Sequence, residues 1–168
     1  MTNLMYYANK VGGIVLNTGN KTERILNNFT IYGDAIGALG VLADVDKDYV
    51  YELSRYVNER AGREVIPVFS IETPATAELK DDQTDADVMG GEPEHLAPLG
   101  RAVIEERLSR EQTLERFGDQ YTTGQIDNLF NRLDWAEGKG RQAPAGIKVT
   151  SQAFGNARKV PMSHGYRG

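Results

Sequence analysis

Three aspartates alternate with other residues at positions 44–48 (DVDKD), a spacing that lets carboxylate oxygens converge on a hard cation. An EF-hand loop starting at Asp44 needs glycine at its sixth position and glutamate at its twelfth, where this chain has Tyr49 and Arg55. The same aspartates precede a helical apolar pattern, where carboxylates cap free backbone amides and favour the positive end of the helix dipole. We therefore predict that they cap a helix, and we keep a metal-dependent enzyme using them as a third hypothesis.

The chain lacks the residues of the common catalytic sites. It has no cysteine, so it has no thiolate metal ligand and no cysteine nucleophile. Its two histidines, His95 and His164, are far apart in the sequence, and no GxSxG elbow is present. The glycines at positions 33, 37 and 40 match neither a P-loop nor a dinucleotide-binding motif, and we expect them in turns and close contacts. We predict no catalytic residue, no metal site and no cofactor, and hence a protein that is not an enzyme.

Basic residues are concentrated at the end of the chain. Residues 136–168 contain six lysines and arginines and one acid, whereas the whole chain has a net charge of −5. Glycine and proline recur there without apolar periodicity, so we predict a flexible tail that docks on another protein, contacts RNA or DNA, or has no partner. Its cations can neutralise phosphates and its aromatic rings can stack on unpaired bases. The predicted binding residues are Lys139, Arg141, Lys148, Phe154, Arg158, Lys159, Tyr166 and Arg167.

Two helices are indicated just before this tail, over residues 110–117 and 123–133. Each begins with a capping box, SREQ in the first and TTGQ in the second. As a helix-turn-helix, the second helix would offer amide and basic groups to DNA, but Asp127 and Asp134 would oppose the phosphates. We therefore favour an ordinary helical hairpin that packs on the core.

The N-terminal part of the chain has the pattern of a small α/β unit. Apolar residues recur at helical spacing from Asp46, a typical N-cap, to Gly62, a typical helix stop. Asn28–Tyr32 and Glu64–Ile71 are rich in β-forming residues, so we predict two strands, the second at a sheet edge because it contains Pro67. The predicted fold class is α/β (α+β), a small sheet with one central amphipathic helix, followed by the helical pair and the flexible basic tail.

Composition divides the 168 residues into four segments. We predict an α/β core over 1–71, an acidic solvated linker or loop over 72–98, a helical segment packing on the core over 99–135, and the tail over 136–168. The chain starts without a basic region followed by an apolar run, and no stretch approaches the roughly 20 apolar residues of a membrane span. We therefore predict a protein that is neither secreted nor bound to a membrane.

This layout, an α/β body ending near Phe130 and a flexible tail from about Gly138 to Gly168, resembles the small accessory core protein of the double-stranded RNA bacteriophages, the cystoviruses. The resemblance implies a non-enzymatic assembly factor, a homodimer that stabilises the growing core of a virion. Its tail would contact capsid protein, polymerase or RNA, and it would be found in the virion or the host cytoplasm. The alternative from another class is a small regulatory nucleic-acid-binding protein that uses the 110–133 helical pair and the basic tail.

Overall fold

The structure is a computed structural model that describes residues 2–73, 84–155, 158 and 160–161. This part of the chain combines helices with a short parallel sheet, so the α/β class is confirmed. None of these helices is long and apolar enough to cross a membrane. In chain order the elements are α1 (Thr2–Val11), β1 (Leu16–Asn17), α2 (Lys21–Ile25), β2 (Leu39–Gly40), α3 (Lys47–Ala61), α4 (Val68–Glu72), α5 (Asp85–Met89), α6 (Pro93–Glu105), α7 (Arg110–Phe117) and α8 (Thr123–Gln142).

The sheet pairs β1 with β2 in parallel, with Leu16 opposite Leu39 and Asn17 opposite Gly40. The far side of β2 makes an isolated parallel bridge from Gly40 to Gly146, and the Gly40 amide donates to the Ala145 carbonyl at 2.9 Å. The sheet therefore joins two strands of the N-terminal part to a segment that follows α8.

The two strands predicted from β propensity are wrong. Residues 28–32 lie in a loop and a turn, in which the Thr30 amide donates to the Asp34 carboxylate at 2.7 Å. The amides of Val65 and Ile66 both donate to the Asn58 side chain at 2.8 Å, and α4 follows directly. In both places a side chain accepts the backbone amides that a strand would have offered to a neighbouring strand.

Helix α3 is confirmed between Asp46 at the N-cap and Gly62 at the C-cap, where Gly62 adopts a φ of 60° that disfavours residues with a side chain. The predicted central position of this helix is wrong, because none of its residues is fully buried.

The hydrophobic core lies among α2, α6 and α8. Helix α6 passes close to α2 at Gly100, where an added Cβ would lie 3.4 Å from Ile25. Capping boxes begin α7 and α8 as predicted, and Gly118 ends α7. The buried core residues are Ile25, Leu26, Met89, Leu96, Leu99, Val103, Ile104, Tyr121, Ile126, Leu129, Leu133, Ala136 and Phe154.

Two predicted segments differ from the structure. The supposed solvated linker, 72–98, contains α5 and the start of α6, with Met89 and Leu96 buried, although residues 74–83 lie outside the described residues. The supposed flexible tail is wrong for positions 136–155, because α8 continues to Gln142 and Ala143 and Phe154 beyond it are buried. We call residues 143–155 the C-terminal segment. Its anchor is Phe154, only 4% exposed, which joins the core cluster.

Candidate functional site

The carboxyl ends of β1 and β2 lie at one edge of the sheet because the strands are parallel. In open α/β sheets, ligands bind in the crevice outside these ends. After β1 the chain enters α2 through residues 18–20, and after β2 it enters α3 through residues 41–46. We call the surface formed by these two connections the strand-end site.

A partly exposed carboxylate and a partly exposed ammonium meet at the strand-end site. Glu23 lies in the first turn of α2, where its Oε2 accepts from the Asn20 amide at 3.0 Å and completes a capping box. Lys47 begins α3, and its Nζ lies 3.6 Å from Glu23 Oε1. The side chains of Lys47 and Glu23 are 15% and 22% exposed, so both charges border solvent. Such a pair can bind a phosphate through the ammonium and accept from sugar hydroxyls through the carboxylate.

A narrow crevice extends from Glu23 towards Asp34. Its wall is held by Asn17, whose side-chain amide donates to the carbonyls of Asp34 at 2.6 Å and Ile36 at 3.2 Å. Asn17 is 4% exposed, so the end of β1 fixes the loop that presents the Asp34 carboxylate.

Beneath this surface lies Lys21, which is completely buried. Its Nζ is 3.1 Å from Asp44 Oδ1, 2.9 Å from Glu105 Oε1 and 2.7 Å from Thr150 Oγ1. The ammonium therefore ties α2, the turn after β2, α6 and the C-terminal segment to one point. A buried ammonium is tolerated when it is paired and hydrogen-bonded in this way.

Asp44 accepts hydrogen bonds from the amides of Val149 and Thr150, both at 2.8 Å, and from the Thr150 hydroxyl at 2.8 Å. Burial opposes ionisation of this carboxyl, but these hydrogen bonds and the one from Lys21 outweigh it and lower its pKa. Asp44 is thus ionised and fully engaged in holding the C-terminal segment.

The other two aspartates of the 44–48 motif bind Arg101 of α6. Its Nε donates to Asp46 at 2.8 Å and its Nη2 to Asp48 at 2.6 Å. Burial raises the pKa of Asp46, and the hydrogen bond from Arg101 opposes that rise. The predicted capping role is wrong for Asp46, which occupies the N-cap position without a side-chain capping bond. Across the described ranges no cluster of three or more metal-ligating side chains is found.

Five of the predicted tail residues lie in the described part of the chain, namely Lys139, Arg141, Lys148, Phe154 and Arg158. Phe154 is buried in the core and offers no exposed ring. Arg158 pairs with Glu137, and Arg141 donates to the Val160 carbonyl. These contacts tie residues 158 and 160 to α8. Binding by the remaining predicted cations stays a prediction.

Lys159, Tyr166 and Arg167, the other predicted binding residues, lie outside the described residues. Lys139 stands over the Phe29 ring, 4.7 Å from its centre, and Lys148 is exposed.

The polar residues of the helical pair hold the fold together. Arg132 donates to the carbonyls of Leu26 and Val88, and Asn128 donates to that of Met89 at 2.7 Å. These groups therefore cannot serve as a base-reading surface, and the helix-turn-helix alternative is unsupported.

Sequence reasoning missed Lys21, Glu23 and the strand-end site as a whole. The available signal was the stretch Asn20-Lys-Thr-Glu23, which has the N-cap and N3 residues of a capping box and therefore marks a helix start.

Comparison with known proteins gives a consistent result. A family model described as NAD synthase matches residues 1–143. The chain is 38% identical over 165 residues to the glutamine-dependent NAD(+) synthetase of Xylella fastidiosa (strain Temecula1), covering 98% of this chain and 30% of that protein. It is 34% identical over 164 residues to the protein of the same name from Thermotoga maritima, covering 98% and 28%. The chain thus spans about 30% of the length of the curated relatives that it matches.

A solved structure shares the fold. The crystal structure of a glutamine-dependent NAD(+) synthetase from Cytophaga hutchinsonii superimposes with a TM-score of 0.68 at 19% identity, covering 96% of this chain and 26% of that one.

These findings overturn the functional predictions. The cystovirus resemblance is wrong, because the matching family model is NAD synthase and the relatives named above are glutamine-dependent NAD(+) synthetases of bacteria. The predictions of a non-enzymatic assembly factor, of a virion location, of capsid, polymerase or RNA partners and of a nucleic-acid-binding regulator are wrong for the same reason.

Proposed function

Since the chain belongs to the NAD synthase family, we propose that it provides one part of a glutamine-dependent NAD+ synthetase. The observation that supports this most directly is the family match, which extends over residues 1–143 and so includes every residue named at the strand-end site.

The chemistry of the strand-end site suits a dinucleotide. NAD+ has two phosphates and two riboses. A site for it needs cations that bind the phosphates and hydrogen-bond acceptors that bind the ribose hydroxyls. Lys47 and Glu23 offer these two groups 3.6 Å apart at the edge of the sheet. In this proposal Lys47 binds a phosphate oxygen and Glu23 accepts from a hydroxyl of the same ligand.

The incomplete sheet supports a role as one part of a larger enzyme. Parallel sheets are covered on both faces, and two strands alone are marginally stable. The carbonyls of Val15 and Asn17 accept hydrogen bonds from backbone amides on the β2 side. Because the backbone groups of successive strand residues point to alternate sides, the amide and carbonyl of Leu16 point away from β2, to the unpaired edge of β1. Leu16 is 51% exposed, and helix α1 before it buries only Ala8.

Apolar side chains of α1 and of the turn after it, which precede β1 in the chain, are exposed as well, among them Tyr6, Tyr7, Val11 and Ile14. In the proposed function the remaining part of the synthetase covers this surface and continues the sheet beside β1, and this chain alone forms no NAD+.

A chimeric enzyme tests the proposal. The 165 matched residues of the Xylella fastidiosa relative are replaced by this chain, and the glutamine-dependent formation of NAD+ is measured. We expect the chimera to form NAD+, and Lys47→Met to lower kcat/KM by about tenfold or more through the loss of a charge-assisted hydrogen bond. The matched control is Arg63→Met, which removes an exposed cation just beyond α3. A folded chimera without activity, or one in which both substitutions have the same effect, contradicts the proposal.

A further inference from the structure

A second cavity shares Arg24, but no other lining residue, with the strand-end crevice. It has a volume of about 250 Å³ and is lined by the turn after β2, the end of α8 and the C-terminal segment. Arg24 stands in its wall, together with Asp44 and Lys148.

Arg24 is a buried cation whose hydrogen bonds go to neutral groups. It is 4% exposed, and its guanidinium donates to the Pro144 carbonyl at 3.1 Å and to Asn17 Oδ1 at 3.3 Å. None of the ion pairs found within the described ranges includes it. Burial lowers the pKa of this guanidinium, against the charge of Glu23. A buried charge without an opposite charge in contact is costly, and an anion in the cavity removes that cost.

The other charged groups of the cavity favour an anion as well. The Asp44 carboxylate is already engaged by Lys21, by two backbone amides and by the Thr150 hydroxyl. Lys148 is exposed and adds a second cation to the cavity wall. The lining thus carries two positive charges, from Arg24 and Lys148, and one negative charge, from Asp44, which leaves a net charge of +1.

The walls of the cavity are close-packed. A Cβ added at Gly146 would lie 2.5 Å from the Ala43 Cβ, and one added at Gly140 would lie 2.8 Å from the Phe154 ring. Both separations are shorter than any real carbon contact, so these glycines let the C-terminal segment press against β2 and α8. The cavity thus keeps its shape without a ligand, which lowers the entropic penalty of binding one.

We propose that this cavity binds a phosphate group, with the Arg24 guanidinium and the Lys148 ammonium as its two cationic contacts. The guanidinium fork matches two phosphate oxygens, and the lysine acts as a point charge at the opening. The proposal does not rest on NAD+ synthesis, since it concerns a cavity distinct from the strand-end crevice and predicts binding by this chain alone.

The test is isothermal titration calorimetry on the full chain at constant ionic strength, with two probes. Inorganic phosphate tests the free ion, and AMP tests a phosphate attached to a larger ligand. We expect at least one probe to bind, Arg24→Met to weaken it at least about tenfold, and Lys148→Met to weaken it about threefold, since its contact is more exposed. Arg63→Met is the control that removes an equal charge elsewhere.

Binding of inorganic phosphate that both substitutions weaken supports a site for the free ion, and binding of AMP alone supports a phosphorylated ligand. If Arg24→Met does not fold, the Lys148→Met result decides, because that side chain is exposed. Absence of binding by both probes, or equal affinity in Lys148→Met and the control, overturns the proposal. Failure of the chimeric enzyme to form NAD+ leaves this test unaffected, so the two proposals fail separately.

Discussion

The Asp44→Asn substitution tests whether the buried Lys21 cluster holds the fold together. It preserves the shape of the side chain and its ability to accept from the Val149 and Thr150 amides. It removes the charge 3.1 Å from an ammonium that is 0% exposed. Lys21 then retains one carboxylate, Glu105, at 2.9 Å.

The expected loss follows from burial. Removing one partner of a buried pair typically destabilises a protein by about 3–5 kcal/mol, because the other charge stays buried without full compensation. Since Glu105 still contacts Lys21, we expect the lower end of that range, about 3 kcal/mol. The comparison is Glu106→Gln, whose pair with Arg116 is about half exposed and which should change stability by about 0–1 kcal/mol.

Urea unfolding of the full chain, followed by circular dichroism, measures both variants against the wild type. A clear separation between the two free-energy losses is the expected result. If Asp44→Asn lies within about 1 kcal/mol of the wild type, or matches Glu106→Gln, the cluster does not stabilise the fold as argued.

Three further measurements follow from the same contacts. Folding lowers the pKa values of Asp44 and Glu105, so the stabilisation by these carboxylates is complete above their unfolded-state pKa values and is lost as the pH falls through the folded-state values. The urea concentration at the unfolding midpoint should therefore decrease once the pH is below about 4. Asp46, whose pKa is raised by folding, offsets part of this loss. An unchanged midpoint down to pH 3 contradicts this. Gly146→Ala should destabilise the fold by about 1–3 kcal/mol in the same urea assay, because the added Cβ clashes with Ala43. The control is Gly138→Ala in α8, where an added Cβ has no atom within 4 Å, and it should be neutral or stabilising by up to about 1 kcal/mol. Equal effects of the two substitutions would refute the close approach of Gly146 to Ala43. Thr150→Val should lower the free energy of unfolding by about 1–3 kcal/mol, because it removes the hydroxyl that donates to Asp44. In a double-mutant cycle with Asp44→Asn the two losses should be clearly non-additive, because both substitutions affect the same hydrogen-bonded group. Additive losses would show that the two residues act independently.

Local signals in the sequence were reliable where the structure depends on neighbouring residues. The ends of α3 at Asp46 and Gly62 and the capping boxes of α7 and α8 each involve residues within four positions of one another. The predicted strands failed because strand formation depends on a partner. In both segments side chains four to eight residues away accept the backbone amides instead, as the Asp34 carboxylate does for the Thr30 amide.

The C-terminal segment shows why composition misled the prediction of a flexible tail. Its few apolar residues suggested that ordering it would be unfavourable. The contacts that order it join residues more than 100 positions apart, such as Thr150 with Lys21 and with Asp44, and no local pattern reveals them. The strand-end site was missed for a related reason, since β1 and β2 are two residues long each and leave no alternating pattern in the sequence.

The aspartates at 44–48 connect these two failures. Taken alone, three alternating carboxylates indicate either a cation site or a capped helix. In the fold their partners come from elsewhere in the chain, Lys21 and the Val149 and Thr150 amides for Asp44 and Arg101 for the other two. Because Lys47 lies between Asp46 and Asp48, the contacts that fix those carboxylates also fix the start of α3. The Lys47 ammonium is therefore held beside Glu23 before any ligand arrives. Binding at the strand-end site requires such preorganisation of its charged groups.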